Sequence, residues 1–238
     1  MSKSKINARA IQQNKKRIFK LDAEVMTNKA NAYLSRAIIE ENRMMILSNY
    51  SAAFLGNRQL ANSNTDEVFD NRNAILSNYK PKNDVEENYI NAQKNKASLD
   101  FLKHRSELNT ALLKVSEEMA AVNAKLIDIN RKIMDANQSI VDFNAQQIAT
   151  NKALIKGGLK PQKAKPASNA KIIKANKSAM ASLEKNVKNN RKRMNDLMNK
   201  SEKNADALMQ NKGLIKQRRK NAIANREKIL ANKALIKF

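Results

Sequence analysis

The chain has 238 residues and a formal net charge of +24, with 34 Asn, 4 Gly, 3 Pro, no Cys and no Trp. The lack of Cys excludes disulfides and thiolate metal sites, and so few turn-forming residues require long elements. A basic chain of this size favours polyanionic partners, such as nucleic acid, anionic lipid or an acidic protein surface.

A seven-residue spacing of Asn runs through the chain from its first predicted helix onwards. Asn occupies 24 of 31 heptad positions, where composition alone would fill about four or five. The series begins at Asn7 and Asn14, and it gains one extra residue near Gly56 before it resumes at Asn57. An aliphatic residue usually follows four positions after each Asn. Spacings of four and three are the a/d seam of a coiled coil, here with the aliphatic residue at a and Asn at d.

The repeating unit is Ile-x-x-Asn, commonly followed by a cation, as at Lys15, Arg43 and Arg131. It resembles the Ile-x-x-Asn repeat in the stalks of trimeric autotransporter adhesins, which favour Thr after the Asn. In those stalks the Asn side chains point into the trimer axis and coordinate anions. The resemblance covers one short motif, and it implies only that layers of Asn can be a repeated feature of a helical core.

The heptads are organised into three copies of an 81-residue unit, which begin at Asn7, Asn88 and Asn169. Positions without Asn recur at the same interval, as at Leu21, Leu102 and Leu183. Breaks rich in Pro and Gly separate the copies. The sequence therefore predicts three helices, at about 5–78, 84–156 and 168–237, with linkers at 79–83 and 157–167.

The second predicted helix is the least charged and carries an additional apolar seam. The net charge is +1 for residues 81–156, against +6 for 1–80 and +17 for 157–238. A helix with two seams is typical of a position between two neighbours. Its candidate Asn layer comprises Asn109, Asn123, Asn130, Asn137, Asn144 and Asn151, and its apolar seam includes Leu112, Met119, Leu126, Ile133 and Ile140.

Two arrangements of the three helices are compatible with the linkers. The longer linker spans at most roughly 40 Å, whereas each helix is roughly 100 Å long. Neighbouring copies must therefore fold back or continue end to end. The second seam favours an elongated antiparallel three-helix bundle. A parallel oligomeric coiled-coil rod is the alternative, in which a buried Asn would find its partners in facing Asn, trapped water or an anion.

The third predicted helix is strongly basic and is the candidate site for polyanions. The cations proposed for this role are Lys188, Arg191, Lys192, Arg193, Lys216, Arg218, Arg219 and Lys220. Such a surface binds phosphate backbones without reading sequence, and no aromatic platform accompanies it for base stacking. An anionic membrane surface or an acidic protein fits the charge equally well, and a merely solvated cationic face is the other interpretation.

These features predict a non-enzymatic structural coiled-coil protein, which acts as a scaffold, spacer, filament or lattice element through self-association or partner helices. The alternatives are a nucleic-acid-binding packaging protein and, more weakly supported, a sheath on an anionic membrane. The lone His104 lies between cations, so neither a catalytic set nor a cofactor or small-molecule substrate is expected. No signal peptide or membrane-spanning stretch is recognisable, and we expect a soluble intracellular location in the cytoplasm, nucleus or virion interior.

Overall fold

The computed structural model describes residues 2–236. The chain is 95% helical, and the described residues contain no strand. The prediction of an all-α chain with three long helices is therefore confirmed. The predicted third helix extended to Lys237, which lies outside the described residues.

The first long helix has two α-helical parts, α1 (Lys3–Ser51) and α2 (Arg58–Ser77), which a π-helical turn joins at Ala52–Asn57. The second is α3 (Asp84–Ala153), which is followed by a π-helical turn at Leu154–Gly158 and a 3-10 turn at Pro161–Lys163. The third is α4 (Pro166–Leu235). In the described part of the chain, no helix has an apolar stretch long enough to cross a membrane.

Local sequence explains where α3 begins and where its last turn stops. The side chain of Asn83 accepts a hydrogen bond from the Glu86 N–H at 2.9 Å, and the Glu86 carboxylate accepts one from the Lys82 N–H at 2.7 Å. This arrangement is close to a capping box. At the other end, Gly157 adopts a φ of +86°, the left-handed conformation that commonly ends a helix and that Gly adopts without a steric penalty.

The chain forms two compact units. The first contains the residues up to 65 together with 162–229, and the second contains 66–161 together with the residues from 230 onwards. In the first unit, hydrogen bonds join α1 to α4 at a constant sequence separation of 159 residues, from Asn7–Pro166 through Asn49–Leu208. A constant separation means that the two helices run parallel.

In the second unit, the end of α2 and the beginning of α3 form an antiparallel pair. Arg105 forms an ion pair with Asp66 at 2.7 Å, while Arg72 lies 3.5 Å from Asp100, so residue numbers rise along one helix as they fall along the other. The rings of Phe69 and Phe101 pack between these ion pairs, with their centroids 4.5 Å apart. The chain therefore folds back between Ser77 and Asp84 and does not continue end to end.

The second unit leaves most of the apolar seam of α3 exposed, so the neighbours expected for this seam stay a prediction. Leu112 and Met119 are half-buried, but Leu126, Ile133 and Ile140 are 37%, 53% and 58% exposed. From residue 113 to 160, every side chain except Met119 is exposed. An apolar seam indicates that a helix face has a partner, but it does not say which chain supplies that partner.

Candidate assembly site

A ladder of Asn side chains joins the first long helix to α4. The amide nitrogen Nδ2 of each Asn donates a hydrogen bond to a backbone carbonyl oxygen of α4, at distances from 2.7 to 3.4 Å. The donor–acceptor pairs of this Asn ladder are Asn7–Pro166, Asn14–Ile173, Asn28–Val187, Asn42–Ser201, Asn49–Leu208, Asn57–Ile215 and Asn64–Ala222. The Asn side chains at the d positions of copy 1, in the first long helix, therefore contact the a positions of copy 3, in α4.

The acceptor in each pair is a backbone carbonyl oxygen, a group that the heptad pattern does not reveal. A helical carbonyl oxygen accepts one N–H bond within its own helix and keeps a second lone pair. Asn is short enough to reach that lone pair when two helices pack closely. A buried Asn at d therefore needs no facing Asn, water or anion for its amide. The available sequence signal was the pairing of Asn positions with small or aliphatic residues such as Ser201 and Ala222 in the facing row.

The carbonyl oxygens of the ladder side chains are unevenly satisfied. Asn28 Oδ1 accepts a hydrogen bond from Arg191 Nε at 3.4 Å. In contrast, Oδ1 of Asn42, Asn57 and Asn64 is buried and accepts no hydrogen bond from the protein. An unpaired buried acceptor costs about 1–3 kcal/mol. The Asn ladder therefore fixes which residues face each other, and it does so at a cost in stability.

Two positions of the ladder lack Asn and mark its register. Leu21 packs with Met180 and Val187 in a buried apolar cluster. Ser35 is only 1% exposed, so a larger side chain would not fit at its position without rearrangement. A slip by one heptad would separate Leu21 from Met180 and bring an Asn to the closely packed position opposite Ser35, and these two positions therefore oppose it.

An interhelical ion pair stands beside the apolar cluster. The Arg17 guanidinium donates to the Glu184 carboxylate at 2.8 Å. This hydrogen bond holds the pKa of the Glu184 carboxyl below its ordinary value, with smaller contributions from the charges of Arg17 and nearby lysines. Both side chains are about one-third exposed, so the ion pair adds little to stability. Its main effect is on which faces of α1 and α4 meet.

The π-helical turn at Ala52–Asn57 keeps the two halves of the ladder in the same register. The separation between donor and acceptor is 159 residues up to Asn49 and 158 residues from Asn57 onwards. The first long helix thus has eight residues where α4 has seven. A π turn accommodates one residue more than an α turn, so the extra residue is absorbed and every later Asn still faces a carbonyl group of the a row.

The Asn rows of copies 2 and 3 take no part in this ladder. The structure places all the Asn positions predicted for assembly on the exposed surface of α3: Asn109, Asn123, Asn130, Asn137, Asn144 and Asn151. The corresponding row of α4 is exposed as well, at Asn176, Asn190, Asn204, Asn211 and Asn225. Within this chain copy 1 supplies the donors and copy 3 the acceptors, and the assembly role expected for the α3 row stays a prediction.

A groove of about 300 Å³ lies between the beginning of α1 and the beginning of α4. The a-row residues Ile11 and Ile18 of α1 line it on one side, and Asn176 of the α4 Asn row lines it on the other. Asn14 and its acceptor residue Ile173 lie between them. The groove is therefore bounded by the a row of α1 and the Asn row of α4, neither of which takes part in the Asn ladder.

The cations predicted to bind polyanions lie along α4. Lys188, Lys192, Arg193, Lys216, Arg218, Arg219 and Lys220 are exposed. Arg191 is half-buried because its guanidinium donates to Asn28 across the α1–α4 contact. It therefore belongs to the packing between the helices as well as to the basic surface.

No protein-family model matches this sequence, and neither a curated protein nor a solved structure is similar to it. Among residues 2–236, no group of three or more His, Asp or Glu side chains is placed to hold a metal ion. The Asn ladder, the exposed rows of α3 and α4, and the basic surface of α4 are the features from which function can be inferred.

Proposed function

We propose that the protein is a non-enzymatic structural protein that assembles with copies of itself through its long helices. The observation that carries this proposal is the exposed apolar surface of α3. Ile127, Ile133 and Met134 are 61%, 53% and 68% exposed, and similar residues continue along residues 113–153. Contiguous exposed apolar surface of this kind marks interaction sites.

The Asn ladder supports the same proposal. It is a way of joining two parallel helices that depends on a heptad row of donors and a row of backbone acceptors. The chain carries three copies of the sequence that provides such rows, and the ladder between copies 1 and 3 uses one donor row and one acceptor row. A protein with additional rows of the same kind on its surface is suited to joining further helices, as a scaffold or lattice element does.

Substitution of Leu126 tests the proposal. Leu126→Asp should reduce the particle mass measured by light scattering towards the 26.8 kDa of a single chain. The helical circular dichroism should persist, because Leu126 is already 37% exposed in the isolated chain and the substitution removes little internal packing. The buried carboxylate would instead oppose assembly, because an unpaired charge is costly in an apolar contact.

Ser139→Asp is the matched control for this variant. It introduces the same charge on α3, at an exposed position outside both the Asn row and the apolar seam. We expect its particle mass to equal that of the unsubstituted protein. A single-chain mass for the unsubstituted protein at all concentrations measured would rule out self-assembly as its function.

A second candidate function is sequence-independent binding to nucleic acid through α4. The observation in its favour is the exposure of a dense set of cations, in a segment with a net charge of +17. Neutralising Lys216, Arg218 and Lys220 together, each to Gln, should weaken binding to duplex DNA and make the dependence of log K on log salt shallower by up to about 3.

The control removes three cations from a different helix. Lys114, Lys125 and Arg131 of α3, each changed to Gln, give the same change in net charge. If DNA binding uses α4, this variant should keep the salt dependence of the unsubstituted protein. Equal losses in both variants would mean that overall charge alone drives binding, and no binding at low salt would exclude this function.

A further inference from the structure

We infer that α3 of a second copy of the chain lies along the α1–α4 pair, parallel to both helices and on the side where the groove opens. This inference rests on the self-assembly proposed above and names its partner surface and register. The Asn ladder already seen between α1 and α4 would then be one of three equivalent ladders.

This side of the α1–α4 pair presents a row of Asn donors on α4 and a row of backbone acceptors on α1, and neither row takes part in the Asn ladder; the contact proposed lies four heptads beyond the groove. The donors are the α4 side chains at Asn204 and Asn211, which are exposed. The acceptors are the carbonyl groups of the α1 a row at Ile39 and Ile46, whose side chains are 38% and 52% exposed. A third helix beside these two rows must therefore offer acceptors to α4 and donors to α1. It must also run in the same direction as the helices of the existing ladder.

The exposed part of α3 carries both rows, because it is another copy of the same repeat. In the existing ladder, each acceptor lies three residues before the position that is equivalent to its donor in the other copy. By the same rule, the amide of Asn204 in α4 would donate to the carbonyl of Ala120 in the second copy, and that of Asn211 to the carbonyl of Ile127. The amide of Asn123 in the second copy would donate to the carbonyl of Ile39. All three helices would then donate to one neighbour and accept from the other.

The irregular position in this stretch agrees with the register. Leu197 replaces Asn in the α4 row and is 42% exposed. The rule places it opposite Leu113 of the second copy, which is 66% exposed, so the contact without an Asn donor pairs two apolar side chains. The match extends from Leu197 to Asn211 and stops before Arg218, which has a charge in place of the amide.

Charge favours α3 over the other helices as the occupant. Residues 113–153 contain five cations and five acids, so this segment is neutral. Residues 197–232 of α4 contain nine cations and three acids, which leaves +6. A second basic helix beside α4 would add repulsion between like charges, whereas a neutral helix with acids adds none.

The α3 segment of the same chain cannot occupy this register. Parallel alignment of Asn211 with Ile127 would place the start of α4 level with the start of α3. The residues between Ala153 and Pro166 would then have to run back along nearly the full length of α3, roughly 100 Å at ~1.5 Å per residue. Twelve residues span at most roughly 40 Å. The helix must therefore come from a second copy.

Cysteine pairs test this register directly, because the natural chain has no Cys. We would mix full-length Asn211→Cys with full-length Ile127→Cys, oxidise the mixture and measure the covalent mass. The expected product is a heterodimer at twice the 26.8 kDa of one chain, formed in preference to either homodimer. The pair Asn49→Cys and Leu208→Cys within one chain has the same geometry in the existing ladder, so it shows the yield that this geometry permits.

Two results would overturn the inference. One is an equal yield when Met134→Cys, one heptad away in the same row, replaces Ile127→Cys. The other is the absence of heterodimer under conditions in which the Asn49–Leu208 pair forms its disulfide. Light scattering on the unsubstituted protein separates this failure from that of the proposed function: an assembly without the cross-link refutes only the register, whereas a single-chain mass refutes both.

Discussion

At the scale of the residue, the side chains of the Asn ladder differ in whether their second polar group is paired. Both groups of Asn28 have partners, since its amide donates to Val187 and its Oδ1 accepts from Arg191. Asn42 donates to Ser201, but its Oδ1 is buried without a donor. The two residues occupy equivalent positions in the repeat, so they form a natural matched pair for measuring the cost of the unpaired oxygen.

We expect Asn42→Leu to raise the thermal midpoint of unfolding. The substitution removes an unpaired buried acceptor, which costs about 1–3 kcal/mol, and loses one hydrogen bond worth about 1 kcal/mol. A net gain near 1 kcal/mol would raise the midpoint by about 2–4 °C in a chain of this size. Circular dichroism on heating measures the shift.

Asn28→Leu is the control for this comparison. Because it removes two satisfied hydrogen bonds and no unpaired atom, its midpoint should stay the same or fall. If both substitutions raised the midpoint equally, the unpaired Oδ1 of Asn42 would not be the source of the gain.

At the scale of the element, the π-helical turn in the first long helix keeps copies 1 and 3 aligned although copy 1 has one residue more. Its Gly56 lies beside α4, where an added Cβ would meet only the end of the flexible Arg219 side chain, at 3.3 Å. Neither a steric requirement nor a positive φ therefore demands glycine at this position. The extra residue, which reduces the sequence separation of donor and acceptor from 159 to 158 residues, is sufficient to account for the turn.

Deletion of Gly56 should convert this π turn into regular α-helix and preserve every later pair of the ladder. The interval from Asn49 to Asn57 would then be seven positions, as it is between their acceptors Leu208 and Ile215 in α4. We expect a higher thermal midpoint, because glycine within a helix costs about 0.5–1 kcal/mol.

Deletion of Ala30 is the opposite case. It shortens the interval from Asn28 to Ser35 from seven positions to six, so the donors on one side of the deletion no longer face the α4 carbonyl groups. Its thermal midpoint should fall. If the Gly56 deletion lowered the midpoint by as much, the π turn would be required for a reason other than register.

At the scale of the whole molecule, the sequence predicted the helices but not the partner of each row. The heptad spacing, the 81-residue interval and the breaks around Pro81 and Gly157 were sufficient to predict three long helices. The three copies carry nearly the same pattern, so periodicity could not distinguish the row that is buried from those that are exposed. In a chain that folds back, the first and third helices run in the same direction, and a ladder of this kind requires that direction.

The buried acceptors were missed for a related reason. Every residue has a backbone carbonyl, so a row of acceptors leaves no trace in composition. The apolar seam of α3 was recognised from Leu126 and Ile133, but the sequence did not reveal that a single chain leaves it exposed. Burial in an assembly and burial within one chain produce the same apolar pattern.

The use of backbone acceptors has a consequence for how the sequence can change over time. The acceptors named above belong to Pro166, Ile173, Val187, Ser201, Leu208, Ile215 and Ala222, which are six different amino-acid types. The facing row can therefore diverge freely in side-chain chemistry, provided that its side chains are compact enough for close packing. The donor row has no such freedom, because only a short amide reaches the carbonyl group. Descendants of this chain should retain the asparagines of copy 1 while the residues opposite them drift.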